Sequence, residues 1–149
     1  MMYQKALLFE DSAMGEQILA ASHPREVKAL GRKVANFDDA KWLAERERIV
    51  RDGTRLKFTR AVSEEGLQHG HAAAAPLVAP LSLRSLLLST GDREIVEASP
   101  MDRIWGVGFG AKKAEQMRAR WGLNLLGKAL MHVRDEFRRE EEDGGRVAE

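Results

Sequence analysis

Glu97 and Asp102 stand on either side of Pro100, so a turn at the proline can bring both carboxylates onto one pocket. Two carboxylates so placed bind sugar hydroxyls or hold an amine, and otherwise they simply face water. Asp102 is the stronger candidate, because Trp105 follows it closely in Trp105-Gly106-Val107-Gly108. An indole in such a loop either stacks on a flat ligand, with Gly106 letting backbone approach it, or anchors the loop from beneath. Trp42 offers the same choice, but its setting in a helical pattern favours core packing. Arg32, beside Gly31, can grip a phosphate with its planar fork or make a surface ion pair. Asn124 precedes a helical stretch and reads most simply as a turn or cap residue. Lys5 carries an amine that is a nucleophile only when partly neutral, which requires burial or a nearby positive charge. Its types of neighbour leave it, on residues alone, an ordinary solvated lysine.

Other chemistries are excluded by what is missing. The chain has no Cys, which removes disulfides, thiolate nucleophiles and thiolate zinc sites together. His69 and His71 sit in a low-complexity stretch, and His23 and His132 lack a carboxylate at ligand spacing, so no metal and no cofactor are expected.

The elements that must position these residues are read from periodicity. Apolar residues from Met2 to Ala21, interrupted by Asp11 and Gly15, predict two short helices with a break between them. Ser22-His23-Pro24 predicts a helix start, running to about Leu30 and stopping at Gly31. Asp38 to Arg60 predicts a long amphipathic helix, with Gly53 as a place of interruption. Residues 68–80, with His69-Gly70-His71, a run of alanines, Pro76 and Pro80, read as a loop or linker. Leu81 to Leu88 predicts a helix and Thr90-Gly91-Asp92 a turn. Glu94 to Ala98 predicts a short strand, and Ser99 to Gly110 an ordered loop. Ala111 to Arg120 and Gly127 to Arg138 predict two more helices, and residues 139–149 a frayed polar tail.

The whole is bounded by 149 residues, 44% hydrophobic and 32% charged, enough for one globular domain. Lys and Arg number 24 against 23 for Asp and Glu, a net charge of +1, so no global field draws the chain to nucleic acid. No long apolar segment reads as a secretory signal or membrane span, so no membrane partner is expected and the cytoplasm, or the nucleus, is the expected compartment.

Several of these pieces recur in one order in a known family. Thr90-Gly91-Asp92, Glu97-Ala98-Ser99-Pro100, Asp102, Trp105-Gly106-Val107-Gly108, Asn124-Leu125-Leu126-Gly127, Leu130-Met131 and Arg134 resemble the NADAR (YbiA-like) N-glycosidase domain. Gln4-Lys5-Ala6, Gly31-Arg32, Trp42 and Lys57-Phe58 continue the likeness. It extends over residues 1–138 apart from the Ala/Pro stretch, which is longer here than the family usually has. The resemblance implies a mainly α, single-domain orthogonal helical bundle with at most short strands. It also places the family's glutamate about two helical turns ahead of Lys5, upstream of Met1, so the chain is expected to be an N-terminally shortened copy.

The activity implied is hydrolysis of an N-glycosidic bond in a ribosylated compound. The substrate is expected to be a ribosylaminopyrimidine phosphate of riboflavin biosynthesis or an ADP-ribosylated base, with nucleic acid met only in the latter form. The resemblance implies that Lys5 attacks the ribose, through a Schiff base on the opened sugar, with the family's upstream glutamate moving protons; Asp102, from its place near Trp105, is read beside it as the second catalytic residue. Trp42, Trp105, Gly106, Glu97, Arg32 and Asn124 are then the substrate-binding set. Two competing readings are a non-catalytic remnant that binds ADP-ribose-like ligands and a helical interaction module.

Overall fold

A computed structural model describes residues 1–59 and 82–146. The stretch 68–80 and the last three residues lie outside them. Seven α-helices and one 3₁₀ turn are found among the described residues, with no strand, so the fold is mainly α as expected. No described helix is long and apolar enough to cross a membrane. The chain forms two compact units, Met1–Gly53 and Thr54–Glu149.

The first unit holds α1 (Met2–Leu8), α2 (Ser12–Ala20), α3 (Pro24–Gly31) and most of α4 (Asp39–Thr59). The break between α1 and α2 comes from Glu10, which adopts a left-handed φ of 59°. Asp11 then starts α2: its Oδ1 accepts from the Met14 amide at 3.1 Å, satisfying one of the free donors of a helix start. Its Oδ2 accepts from the Ala35 amide at 2.8 Å, so one carboxylate also pins the segment after α3. At α3 the cap is His23 rather than Ser22, with Nδ1 accepting from the Arg25 amide. Ala6, Phe9, Ile18 and Val34 form the core, flanked by Tyr3, Met14, Leu30 and Trp42. α1 packs on both α2 and α3, and α2 on α3. Gly15 permits this, since a Cβ there would stand 3.3 Å from the Tyr3 ring.

α4 runs unbroken through Gly53, where a favourable periodicity on either side outweighs the roughly 1 kcal/mol that glycine costs a helix. The second unit then continues with α5 (Leu83–Leu88), α6 (Ala111–Ala114), the 3₁₀ turn (Glu115–Arg120) and α7 (Leu125–Arg146). Its core is Leu87, Val133 and Phe137, with Phe58, Leu88, Ile95 and Leu130 packed against them. Phe137 is fully buried, and the guanidiniums of Arg84 and Arg55 lie over its ring at 4.3 and 5.4 Å. Glu140 bridges those two arginines.

Three sequence expectations change here. Glu94 to Ala98 is extended but forms no ladder, because a side-chain amide takes the place of a partner strand. The helix expected over Ala111 to Arg120 tightens to 3₁₀ after its first turn, with Met117 off helical geometry at φ −102° and ψ 17°. The last helix continues past Arg138 to Arg146, since its acidic run finds Arg55 and Arg84 as partners rather than water alone.

Candidate functional site

Lys5 sits on α1 in the first unit and is half-buried. Its Nζ donates to the carbonyl of Gly31 at 2.8 Å, the last residue of α3. The helix end leaves that carbonyl without a partner of its own, which makes it a ready acceptor. The amine also lies 4.1 Å from the centre of the Phe37 ring and 5.6 Å from that of Trp42, both within cation–π range. Burial lowers the Lys5 pKa from its ordinary value, and the Asp39 carboxylate pulls it back up. The amine is therefore released from its proton at lower pH than a solvated lysine, with its position held by a carbonyl on one side and aromatic faces on others. Arg32 follows Gly31 and is exposed.

Phe37 had drawn no attention in the sequence, although a signal was there. Asp38 caps α4, its Oδ1 accepting from the Lys41 amide at 2.6 Å and its carbonyl from the Trp42 amide at 3.0 Å. Phe37 is thus the residue before the cap and Trp42 the fourth of the helix, the two apolar positions of a hydrophobic staple. Asn36, at φ 52°, turns the chain just ahead of Phe37. Phe37 also meets Phe9 with ring centres 5.2 Å apart.

In the second unit the loop from Ser99 to Gly110 is built around Asp102. Its Oδ1 accepts from the amides of Ile104, at 3.0 Å, and Trp105, at 2.8 Å. That carboxylate oxygen folds the turn that carries the indole. Gly106 is buried, and a Cβ there would come within 2.6 Å of the Glu97 carbonyl, so the missing side chain admits backbone of the same unit. Asn124 is also buried, at φ 50°, and its amide joins two partners: Oδ1 accepts from the Glu97 amide at 3.0 Å and Nδ2 donates to the Ile95 carbonyl at 2.9 Å. The loop carbonyls of Gly106, Ile104 and Trp105 accept from the amides of Asn124, Leu125 and Leu126. Amides that a helix start commonly offers to an anion are thereby already used.

Arg134 is a further residue that the local sequence could not single out for a role. Only 4% exposed, it donates through Nη1 to Thr90 Oγ1 and to the Arg93 carbonyl, both at 2.8 Å, and so ties the Thr90-Gly91-Asp92 turn to α7. A separate cleft of about 430 Å³ in this unit is lined by Glu94, Val96, Glu115, Arg118 and Trp121 among others, and by none of the expected site residues. Arg118 lies over the Trp121 ring at 4.7 Å and pairs with both Glu94 and Glu115, so its charge is spent within the cleft. The structure thus gathers Lys5 and Trp42 in one unit, and Glu97, Asp102, Trp105, Gly106 and Asn124 in the other.

A family model described as the NADAR domain matches residues 1–138. N-glycosidase R617 of Acanthamoeba polyphaga mimivirus is 39% identical over 138 residues, covering 91% of this chain and 70% of the relative. Protein irg-1 of Caenorhabditis elegans is 33% identical over 139 residues, 91% of this chain and 57% of its own length. N-glycosidase YbiA of Escherichia coli is 28% identical over 135 residues, with 91% and 67% covered. The chain thus spans between 57% and 70% of the length of these relatives.

Proposed function

The chain belongs to the NADAR domain family, and from that premise we propose that it hydrolyses the N-glycosidic bond of a small ribosylated compound with Lys5 as the nucleophile. The observation that carries the reading is the Lys5 amine itself, half-buried, oriented by the Gly31 carbonyl and lowered in pKa by burial. An amine in that state can bond to C1′ as the C1′–N bond breaks, the base leaving with a proton. Opening of the sugar converts the adduct to a Schiff base, and water adding at C1′ then returns the free amine. The relatives named N-glycosidase support the bond class. For the substrate we propose a ribosylaminopyrimidine phosphate or an ADP-ribosylated base, each of which carries such a bond on a phosphorylated ribose.

In the second unit, taken by itself, Trp105 is proposed as a surface for stacking and Glu97 as a group for hydroxyls, and Asp102, whose carboxylate folds the loop, as a catalytic candidate. Arg32, exposed beside Gly31, is proposed to meet phosphate. The test is borohydride trapping during turnover of a ribosylaminopyrimidine phosphate and of ADP-ribosylated guanosine. A reduced sugar adduct on the peptide bearing Lys5, absent in Lys5→Ala together with base release, supports the reading. Base release by Lys5→Ala at the wild-type rate removes Lys5 from the chemistry. Ligand binding without any release identifies a non-catalytic binder instead.

A further inference from the structure

We propose that Phe37 is a positioning residue for Lys5, its ring covering the amine and holding it charged against the Gly31 carbonyl until a ligand displaces the ring. The inference rests on the reading of Lys5 as nucleophile but concerns a residue that this reading does not require. The Phe37 face lies 4.1 Å from Nζ, closer than the ring of Trp42 at 5.6 Å. The ring meets Phe9 with centres 5.2 Å apart and is nonetheless 43% exposed, so an incoming ligand can reach it. Its backbone enters from the left-handed turn at Asn36 and leaves into the Asp38 cap, which fixes where the ring stands.

A π-face favours the ammonium over the free amine, and the Gly31 carbonyl does the same by accepting a hydrogen bond that the ammonium donates more strongly than the free amine. The neighbouring charges are Asp39 on α4, which acts on the amine in the same sense, and Lys41, whose ammonium lies 5.6 Å over the Phe9 ring. Burial opposes these contacts. The resting amine is thus covered by a ring that biases it toward its charged form, and contact with an incoming flat base is what would replace the phenyl ring. Leucine at position 37 would keep an apolar side chain but no π-face.

The experiment is reductive methylation with formaldehyde and dimethylamine-borane at neutral pH, without substrate, read lysine by lysine by peptide mass spectrometry. Phe37→Leu should label Lys5 about two- to fivefold faster than wild type, the factor that loss of a partly exposed cation–π contact allows. Phe37→Tyr keeps the face and should label at the wild-type rate, and Lys28 and Lys41 should be unchanged in both. Equal Lys5 rates in wild type and Phe37→Leu overturn the proposal, as does equal acceleration in the Tyr and Leu variants or a general rise at all lysines. The labelling is read without turnover, so base release by Lys5→Ala at the wild-type rate would remove the nucleophile reading while leaving the ring's hold on the amine as measured. Unchanged labelling with release lost in Lys5→Ala would remove Phe37 alone.

Discussion

Replacing Asn124 separates three contributions that meet in one side chain. Asn124→Ala strips the Glu97 amide and the Ile95 carbonyl of their partners, and both groups are only partly solvated. Leaving two such groups unsatisfied costs about 1 kcal/mol each at this exposure. Alanine must also hold φ near 50°, which costs roughly another 1–2 kcal/mol for a residue with a Cβ and no local hydrogen bond. The sum is about 3–4 kcal/mol, which at roughly 3 °C per kcal/mol for a chain of this size lowers Tm by about 10 °C. Asn124→Gly relieves the backbone and loses only the amide, so it should cost about 2 kcal/mol. Asn124→Asp keeps the acceptor for Glu97 but turns a carboxylate oxygen toward the Ile95 carbonyl, and should fall between them. The assay is urea unfolding followed by circular dichroism, with thermal melts alongside. If glycine and alanine are equally destabilising, the left-handed backbone plays no part. If alanine lies within about 1 kcal/mol of wild type, the amide clamp does not hold the extended segment at all.

Asp39→Asn removes the carboxylate that keeps the Lys5 amine charged, so the pH profile of Lys5 labelling should move to lower pH; a shift upward would contradict the assigned interaction. Because the folded Lys5 pKa lies below its ordinary 10.5, the unfolded chain binds more protons between the two. The Lys5 contribution is therefore unfavourable below the folded pKa and relieved as pH rises toward 10.5, and a Lys5→Met variant should lack that alkaline gain in a melt series. For Asp102, the Asn variant keeps an Oδ1 acceptor for the Ile104 and Trp105 amides and should retain fold, while Asp102→Ala should lose about 1–2 kcal/mol; loss of base release in the Asn variant at full stability would mark the charge itself as needed. Phe137→Ala should cost about 3–5 kcal/mol in urea unfolding, as expected for a fully buried ring, and a value under 1 kcal/mol would show that the Leu87 and Val133 core closes over the gap.

Much of the architecture could be read along the chain because helices are local. The break between α1 and α2, the start at Pro24, the start of α4 and the turn after α5 follow from cap residues, proline and spacing within one or two turns. The ordered motifs also carried the family and with it Lys5 as the residue to watch. What periodicity could not supply were bonds between distant positions. Lys5 meets the Gly31 carbonyl across 26 residues, Asn124 reaches 27 and 29 residues back to Glu97 and Ile95, and Arg134 reaches Thr90 across 44. The extended Glu94 to Ala98 segment therefore looked like a strand, when it forms no ladder and is held by the Asn124 side chain and a single bond from the Val107 amide to the Glu97 carbonyl. Phe37 stayed hidden for a related reason: its apolar type is ordinary, and only the packing of α1 against α3 brings an amine beneath its face. Local propensity sets which segments are helical, whereas the state of a buried amine depends on which carbonyl and which ring the tertiary fold delivers to it.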